Sequence, residues 1–180
     1  SHWNFNETGN RCGVGILWSN RIRLIEKLKV NDHEWQAAWK GRIALAKVGW
    51  DETVFLVFGI YAPAVATERI GFFRAVAELL DPIVTSQQSE ILVMGDFNCA
   101  SDPSTDRYPP RMLLDVGSEE LSELLGRCGL KDAWPTHSDG SSSGFTFVRQ
   151  GRASRIDRIM ATSCLSANLR DTRVLPYADS

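Results

Sequence analysis

The sequence has little net charge and no long apolar segment. Its 20 lysine and arginine residues nearly balance its 22 aspartate and glutamate residues, which gives a formal net charge of -2. A strongly basic surface for nucleic acid is therefore excluded, and any such affinity must be local. No apolar run approaches the roughly 20 residues that span a bilayer, and the start lacks the pattern of a signal peptide. We expect a soluble intracellular protein with no membrane association.

Cysteine is scarce, and its spacing does not indicate a metal site. The four cysteines are Cys12, Cys99, Cys128 and Cys164. They form no C-x-x-C pair and have no histidine nearby in the spacing of zinc ligands. Widely spaced thiols in a reducing compartment stay reduced, so we expect all four cysteines to be free.

Short runs of apolar and β-branched residues, separated by polar turns, predict strands. The predicted strands cover residues 12–18, 42–48, 54–61, 91–95, 145–148 and 155–161. The run at 54–61 is apolar almost throughout instead of alternating, which predicts a central strand covered on both faces. The long irregular stretches at 98–113 and 137–144 are predicted to be surface loops.

Helical spacing of apolar residues predicts two helices. One covers 67–80, with Thr67 as its cap and Pro82 after its end, and the other covers 118–128, with Ser118 as its cap. Helices and strands alternate only loosely, which favours a layered α/β sandwich over a strictly wound parallel sheet. A chain of 180 residues without a linker is the size of one domain, so we expect residues 1–180 to form a single domain.

The segment Gly95-Asp96-Phe97-Asn98 is the sharpest local feature, because it follows directly on a buried apolar strand. Side chains at i and i+2 of an extended segment point the same way. Asp96 could serve there as a base or hydrogen-bond acceptor, and Asn98 as a neutral donor to a phosphate. The alternative is an Asx turn, in which both side chains satisfy backbone groups where the strand ends.

Two further polar groups lie at or within apolar strands. Tyr61 ends a strand before a proline turn, and Asp157 interrupts an otherwise apolar strand. A charge in a strand is costly unless it is paired or functional. The structural alternatives are a core aromatic with a satisfied hydroxyl for Tyr61, and an ion pair with Arg155 or Arg158 for Asp157.

Four motifs in this order resemble the endonuclease/exonuclease/phosphatase superfamily, which includes apurinic/apyrimidinic endonucleases. They are Ile60-Tyr61-Ala62-Pro63, Gly95-Asp96-Phe97-Asn98, Phe145-Thr146-Phe147 and Ser154-Arg155-Ile156-Asp157. The segment R-I-G-F-F at 69–73, followed by an apolar helix, and the segment S-R-I-D-R-I look most like the branch found in non-LTR retrotransposon polyproteins. The resemblance covers nearly the whole chain.

The resemblance implies a four-layered α/β sandwich, with two mostly antiparallel sheets flanked by helices, incomplete here at both termini. Asp96 would activate or orient the attacking water, and Asn98 and Tyr61 would contact the scissile phosphate. Asp157 would belong to the acidic network around the metal and the catalytic histidine. Positions implied to contact or support the substrate are Thr146, Ser154 and Arg155.

The resemblance also implies a cofactor and partners. The cofactor would be Mg²⁺ or Mn²⁺, and the substrate would be DNA, which is left with a nick. A reverse transcriptase domain in the same polyprotein would be a further partner, and the protein would act in the nucleus as a monomer.

The sequence departs from the family pattern at three places. Ala64 stands where the family usually has an asparagine that contacts phosphate. The metal-binding glutamate is expected upstream of Ser1, because Glu7 lies too close to the first predicted strand. The general-base histidine is expected beyond Ser180, so we expect this chain to be catalytically inactive alone. The histidines present are expected at the surface: His2, His33 and His137.

Two other functions stay open. The same residues could serve an enzyme of this fold that acts on another phosphate, such as an inositol phosphate or a sphingomyelin headgroup. A degenerate, non-catalytic module that binds DNA or a partner would agree with Ala64 and with the unseen glutamate and histidine. A local basic cluster beside the motifs could contact phosphates or form a solvated hairpin: Arg149, Arg152, Arg155 and Arg158.

Overall fold

A computed structural model describes residues 1–5, 13–28, 39–86, 90–134 and 144–168. In chain order the strands are β1 (His2–Phe5), β2 (Gly13–Ile16), β3 (Arg23–Leu28), β4 (Ile43–Trp50), β5 (Thr53–Tyr61), β6 (Glu90–Asp96), β7 (Arg107–Tyr108), β8 (Leu130–Asp132), β9 (Phe147–Arg149), β10 (Arg152–Ser154) and β11 (Asp157–Thr162). The helices are α1 (Ala66–Thr85), α2 (Ser118–Arg127) and α3 (Ser163–Asn168). Each strand predicted from the sequence overlaps an observed one, with ends that differ by one or two residues in most cases.

The central element is a six-stranded mixed sheet in the order β3-β4-β5-β6-β11-β8. Its neighbours are antiparallel except β5 and β6, which are parallel. Two small antiparallel sheets accompany it, one of β1 and β2 and one in the order β7-β10-β9. The chain is therefore an α/β protein with mixed sheets, and the strictly wound parallel alternative is excluded.

Both faces of the central sheet are covered by apolar side chains. Alternate residues of β4 and β5 face α1 and α2 on one side: Ile43, Leu45, Leu56, Phe58 and Ile60. The intervening residues face Val14 and Ile16 of β2 on the other side: Ala44, Ala46, Val48, Phe55 and Val57. The prediction that 54–61 forms a central strand buried on both faces is confirmed.

These contacts order the chain in layers. A helical layer, the six-stranded sheet and the small β1–β2 sheet are seen in the described ranges, whereas the fourth layer of the expected sandwich stays a prediction. Fully buried aromatic side chains hold the helical layer to the sheet, among them Phe58, Phe72, Phe73 and Phe97. Each such side chain contributes about 1.5–3 kcal/mol through removal from water.

Helix α1 differs from its prediction at both ends. It begins at Ala66 after Val65, which makes no side-chain cap bond, so the assignment of Thr67 as the cap is wrong. Pro82 lies inside the helix instead of after it. The helix continues because Ile83 and Val84 pack against the core and offset the backbone hydrogen bond that proline removes.

Helix α2 also begins differently from the prediction. Its N-cap is Gly117, with φ of 94°, whereas Ser118 is the first helical residue. A Cβ at Gly117 would lie 2.9 Å from Cβ of Arg69, so the close approach of α1 decides this cap. The predicted apolar face is confirmed, since Leu121 and Leu124 are buried.

Some predictions concern single residues or loops. Cys99, Cys128 and Cys164 are free, as expected. Several other predictions fall outside the described residues, namely those for Cys12, Glu7, His33, His137 and residues 137–143 of the second predicted loop. The loop at 98–113 is irregular apart from β7, but part of it is buried, including Cys99, Ala100 and Asp106. No helix in the described ranges is long and apolar enough to cross a membrane.

Candidate active site

Three of the four predicted catalytic residues lie side by side at the ends of three neighbouring strands. Tyr61 at the end of β5 pairs in register with Asp96 at the end of β6. Asp157 at the start of β11 pairs with Asp96 from the other side. Residues paired across strands project from the same face, so the phenol and the two carboxylates share one face of the sheet. This face of the sheet is the one that packs against β2, since Tyr61 and Met94 both contact the core cluster on that side. Helix α1 covers the other face of the sheet.

Gly95 lets β5 and β6 approach each other immediately before this site. Its φ is 139°, and a Cβ there would lie 2.0 Å from the carbonyl oxygen of Ile60. Only glycine fits both the conformation and the space.

The Asx turn and the catalytic placement of Asp96 occur together. Oδ1 of Asp96 accepts a hydrogen bond from the backbone N–H of Asn98 at 2.7 Å, so the turn predicted as an alternative is present. Nδ2 of Asn98 donates to the carbonyl of Ala62 at 2.9 Å, which holds Asn98 against the turn that follows Tyr61. The second oxygen of Asp96 accepts no hydrogen bond from any described residue. The turn therefore positions Asn98 and leaves one carboxylate oxygen available to a ligand.

Tyr61 is held by its ring and not by its hydroxyl. The guanidinium of Arg42 lies 5.0 Å from the centroid of the ring, and Nη1 of Arg42 donates to the carbonyl of Tyr61 at 3.3 Å. The hydroxyl makes no hydrogen bond within the described part of the chain. A core aromatic with a satisfied hydroxyl, the structural alternative, is therefore not what the structure shows.

Asp157 is exposed, and its backbone is positioned by Thr146. Oγ1 of Thr146 accepts hydrogen bonds from the backbone N–H groups of Ile156, at 3.2 Å, and Asp157, at 3.1 Å. Thr146 thus supports the start of β11 through the backbone. Neither Arg155 nor Arg158 pairs with Asp157, because both are engaged elsewhere.

Two arginines and two aspartates form a buried charge network behind the site. Nε of Arg155 donates to Asp106 at 2.8 Å, and Nη1 of Arg158 donates to Asp132 at 2.6 Å. Each arginine also contacts the other aspartate. Burial alone raises the pKa of Asp106, but the charge and hydrogen bond of Arg158 outweigh it and hold that pKa below its usual value. The network joins the loop after Asn98 and strand β8 to β11.

The network changes the interpretation of the predicted basic cluster. Arg155 is 7% exposed and directs its guanidinium at carboxylates, so its position supports a structural role and gives no support to substrate binding. Ser154 is also buried, and its hydroxyl accepts a hydrogen bond from Nη1 of Arg107 at 2.7 Å. Of the four predicted basic residues, Arg149 and Arg152 are exposed, on β9 and β10.

Sequence reasoning missed several residues that shape the site. Asp106 and Asp132 pair with arginines 49 and 26 positions away, so no local pattern marks them. Arg107 and Asp115 pair with each other across an irregular loop that contains prolines, where no regular spacing predicts a contact. Arg69 was detectable, because it places a charge on the apolar face of α1 beside Phe72 and Phe73.

The electrostatics of the site make Asp96 more basic than an ordinary aspartate. Burial raises its pKa most, and the neighbouring charge of Asp157 raises it further, while the N–H of Asn98 and the charge of Arg69 act in the opposite direction. A carboxylate with a raised pKa is a better proton acceptor near neutral pH.

The raised pKa predicts that Asp96→Asn stabilises the fold at neutral pH. A carboxyl group whose pKa is raised by folding stabilises the protein below its unfolded pKa, and this contribution is lost as the pH rises through the folded pKa. The neutral amide keeps the acceptor for the N–H of Asn98 and removes the half-buried charge. We expect the melting temperature of the variant to exceed that of the wild type by about 1–3 °C at pH 7.5. The difference should vanish below about pH 4, in melting curves recorded with EDTA.

Asp102→Asn is the matched control. Hydrogen bonds from Ser104 hold the pKa of the Asp102 carboxyl below its usual value, so this substitution should not stabilise the protein at neutral pH. Equal shifts for the two variants, or a gain for Asp96→Asn that persists at low pH, would contradict the electrostatic explanation.

The residues present fit a magnesium ion that is shared with a substrate. In the described ranges, no group of three or more His, Cys, Asp or Glu side chains could hold a metal ion. Mg²⁺, however, is commonly bound through one or two carboxylates, with water and substrate phosphate completing its shell. The exposed carboxylate of Asp157 beside Asp96 meets that need. His2 is no candidate base here, because it lies near Lys27 on edge strand β3, which β4 and β5 separate from β6 and β11. Burial and, after it, the charge of Lys27 lower the pKa of His2.

Comparison with known proteins gives the family of the chain. The model of the Endonuclease/Exonuclease/phosphatase family matches residues 1–178. The chain belongs to this family. The transposon TX1 uncharacterized 149 kDa protein of Xenopus laevis is 29% identical to this chain over 178 residues, which are 96% of this chain and 13% of the relative. The chain is thus distantly related, over almost its whole length, to a small part of a transposon protein.

Three solved structures resemble this chain in fold. Truncated TDP2 of Caenorhabditis elegans matches 80% of this chain and 54% of its own, with a TM-score of 0.55 and 16% identity. The AP endonuclease LMAP of Leishmania major matches 71% of this chain and 48% of its own, with a TM-score of 0.53 and 16% identity. A mannosyl-6-phosphatase of Bacteroides thetaiotaomicron matches 81% and 54%, with a TM-score of 0.53 and 15% identity. The chain spans about half the length of these structures.

Proposed function

We propose that this chain is the magnesium-dependent endonuclease domain of a retrotransposon polyprotein, and that it nicks DNA in the nucleus for integration. The observation that carries the proposal is the register of Tyr61, Asp96 and Asp157 on one face of three adjacent strand ends. A phenol, two carboxylates and the nearby Asn98 amide are the groups needed to hold a phosphodiester and to direct water at it. Manganese could replace magnesium in this role.

In the proposed reaction each side chain has a separate task. Asp96, with its raised pKa, orients the attacking water and takes up its proton. Asn98 and Tyr61 contact the scissile phosphate from the two sides of the turn at Ala62. Asp157 would hold the magnesium ion or a water molecule bound to it. When bound, Mg²⁺ supplies charge neutralisation at the phosphate and at the leaving oxygen.

DNA is the favoured substrate because the relative that matches almost the whole chain is a transposon protein. The chain matches only 13% of that relative, which leaves room for further domains in such a polyprotein. We propose that one of them is a reverse transcriptase. The mannosyl-6-phosphatase match supports the alternative of a non-DNA phosphate, since the same fold accepts a sugar phosphate there. A non-catalytic binding module is the second alternative, and Ala64 favours it.

Plasmid nicking tests the proposal. We expect the natural reading frame, extended in both directions, to convert supercoiled plasmid to the nicked form with Mg²⁺ and not with EDTA. In the extended polypeptide, Asp96→Ala should lower the nicking rate by about 10²- to 10⁴-fold.

Asp81→Ala is the control, since that aspartate forms an exposed ion pair with Arg127 far from the strand ends. It should leave nicking unchanged. An extended polypeptide that hydrolyses a sugar or inositol phosphate but not DNA would support the first alternative. One that binds DNA without cleaving it would support the second.

A further inference from the structure

We propose that Arg42 is a positioning residue, which holds the ring of Tyr61 so that the phenol hydroxyl meets the substrate in one orientation. The inference rests on the proposed function for the role of that hydroxyl. The contact between the guanidinium and the ring, however, can be measured without any substrate. No motif in the sequence marks Arg42, which directly precedes the first residue of β4.

Arg42 extends the row of polar residues at the strand ends by one strand. The backbone N–H of Tyr61 donates to the carbonyl of Arg42 at 2.8 Å. This bond lies one position beyond the pair of Ile43 and Ile60, so β4 and β5 stay in register there. Residues paired across strands project from the same face. Across β4, β5, β6 and β11 the row is therefore, in order, Arg42, Tyr61, Asp96 and Asp157.

The side chain of Arg42 makes two contacts with Tyr61. The guanidinium carbon lies 5.0 Å from the centroid of the ring, which is within the range of a cation–π contact. Nη1 donates to the carbonyl of Tyr61 at 3.3 Å. Arg42 thus contacts both the ring and the backbone of Tyr61, in addition to the bond between their backbones.

Little else in the described part of the chain fixes the orientation of the Tyr61 ring. Tyr61 is half-buried and only partly packed against the core cluster on the β2 side. Its hydroxyl makes no hydrogen bond within the described ranges. A different rotamer of the side chain would carry the hydroxyl away from the carboxylates of the row. The guanidinium is therefore the contact that selects one orientation of the ring.

Two other roles for Arg42 compete with positioning. Arg42 could contact the substrate phosphate itself, because a guanidinium suits phosphate oxygens. It could also act on stability alone, by tying β4 to β5 through the carbonyl of Tyr61. The three roles differ in whether the effect of Arg42 on the reaction depends on the hydroxyl of Tyr61.

The first test is an NMR measurement on the 180-residue chain, without substrate or metal. A proton held over an aromatic face resonates upfield because of the ring current. We expect the Nε–H proton of Arg42 to lose an upfield shift in Tyr61→Leu and to keep it in Tyr61→Phe, which retains the ring. No variant of Arg42 has to fold for this measurement. A resonance of Arg42 that does not respond to Tyr61→Leu would overturn the proposal.

The second test is a double-mutant cycle on nicking by the extended polypeptide. We expect Arg42→Met to lower kcat/KM by about 5- to 30-fold, as for a partly desolvated cation–π contact. Tyr61→Phe keeps the ring and removes the hydroxyl. In that background Arg42→Met should lower kcat/KM by less than about twofold, because no hydroxyl is left to misplace. Arg42→Lys keeps a cation near the ring and should recover part of the rate.

Arg23→Met is the matched control for Arg42→Met. Arg23 is exposed and pairs with Gly49 near the opposite end of β4, so its loss changes the net charge equally and should leave nicking unchanged. Equal losses from Arg42→Met in the wild-type and Tyr61→Phe backgrounds would overturn the proposal in favour of a direct substrate contact. A lower melting temperature with an unchanged nicking rate would overturn it in favour of a purely structural role.

The two tests also separate this inference from the proposed function. A shift at Arg42 that depends on the Tyr61 ring, in an extended polypeptide that hydrolyses another phosphate and not DNA, would overturn the endonuclease. The double-mutant cycle on that hydrolysis would then decide the positioning role by the same criterion. Nicking that is insensitive to Arg42→Met would do the reverse, since it would sustain the endonuclease and overturn the positioning role.

Discussion

Replacing Arg158 by methionine should lower the free energy of unfolding by about 3–5 kcal/mol. The guanidinium of Arg158 is buried between Asp106 and Asp132, and its loss leaves carboxylates in the interior with less compensating charge. Methionine has a similar length and packs well, so the loss is of charge and hydrogen bonds more than of volume. Urea unfolding followed by far-UV circular dichroism measures the change.

The matched control for this prediction is Arg74→Met. Arg74 and Glu120 are 3.0 Å apart, but the arginine is 65% exposed, so solvent screens the pair and its removal should cost less than about 1 kcal/mol. Equal losses for the two variants would show that the network at Arg158 contributes no more than a surface pair. Because the network holds the start of β11, Arg158→Met should also reduce nicking by the extended polypeptide.

Gly95→Ala should be nearly as damaging, at about 3 kcal/mol or more. The added methyl group would lie 2.0 Å from the carbonyl oxygen of Ile60. The methyl carbon is bonded directly to the backbone of β6 and the oxygen belongs to the backbone of β5, so neither atom can rotate away. The positive φ of 139° adds strain for any residue with a Cβ. Relief requires β5 and β6 to separate where Tyr61 and Asp96 are in register. We therefore expect a loss of both stability and nicking.

Gly126→Ala provides the comparison, since Gly126 lies in α2 with nothing within 4 Å of its added Cβ. Alanine is the better helix former, so this substitution should stabilise the protein by about 0.5–1 kcal/mol. Denaturant unfolding of both variants under one set of conditions tests the pair. A mild effect of Gly95→Ala would mean that the two strands can shift without disturbing the fold.

Much of the fold could be predicted from the sequence because the signals are local. The apolar run at 54–61 correctly predicted a central strand, and the spacing of Leu121 and Leu124 correctly predicted the buried face of α2. The ends of the helices were less predictable. Pro82 is accommodated because later apolar residues reach the core, and Gly117 caps α2 because Arg69 lies close by. Both depend on neighbours that are distant in the sequence.

The same distinction between local signals and contacts distant in the sequence applies to the candidate site. Asp96 and Asn98 could be selected from a four-residue segment because their spacing and the preceding strand are visible in the sequence itself. The partners of Arg155 and Arg158 could not be predicted in this way. Both arginines lie within two positions of Asp157 in the sequence, but Arg155 reaches Asp106, 49 positions away, and Arg158 reaches Asp132, 26 positions away. An ion pair is decided by which charges the fold brings within a few ångströms, and adjacency along a strand places side chains on opposite faces.

The sequence by itself determined the class of fold, the central strand and the residues that mark the family, because each depends on residue types a few positions apart. Only the tertiary structure decided that Tyr61, Asp96 and Asp157 share one face, that Arg155 is buried in a charge network, and that Arg42 lies against the ring of Tyr61. Strand register and the pairing of buried charges depend on contacts across the whole chain, and one residue of slippage would turn the same side chains to the opposite face.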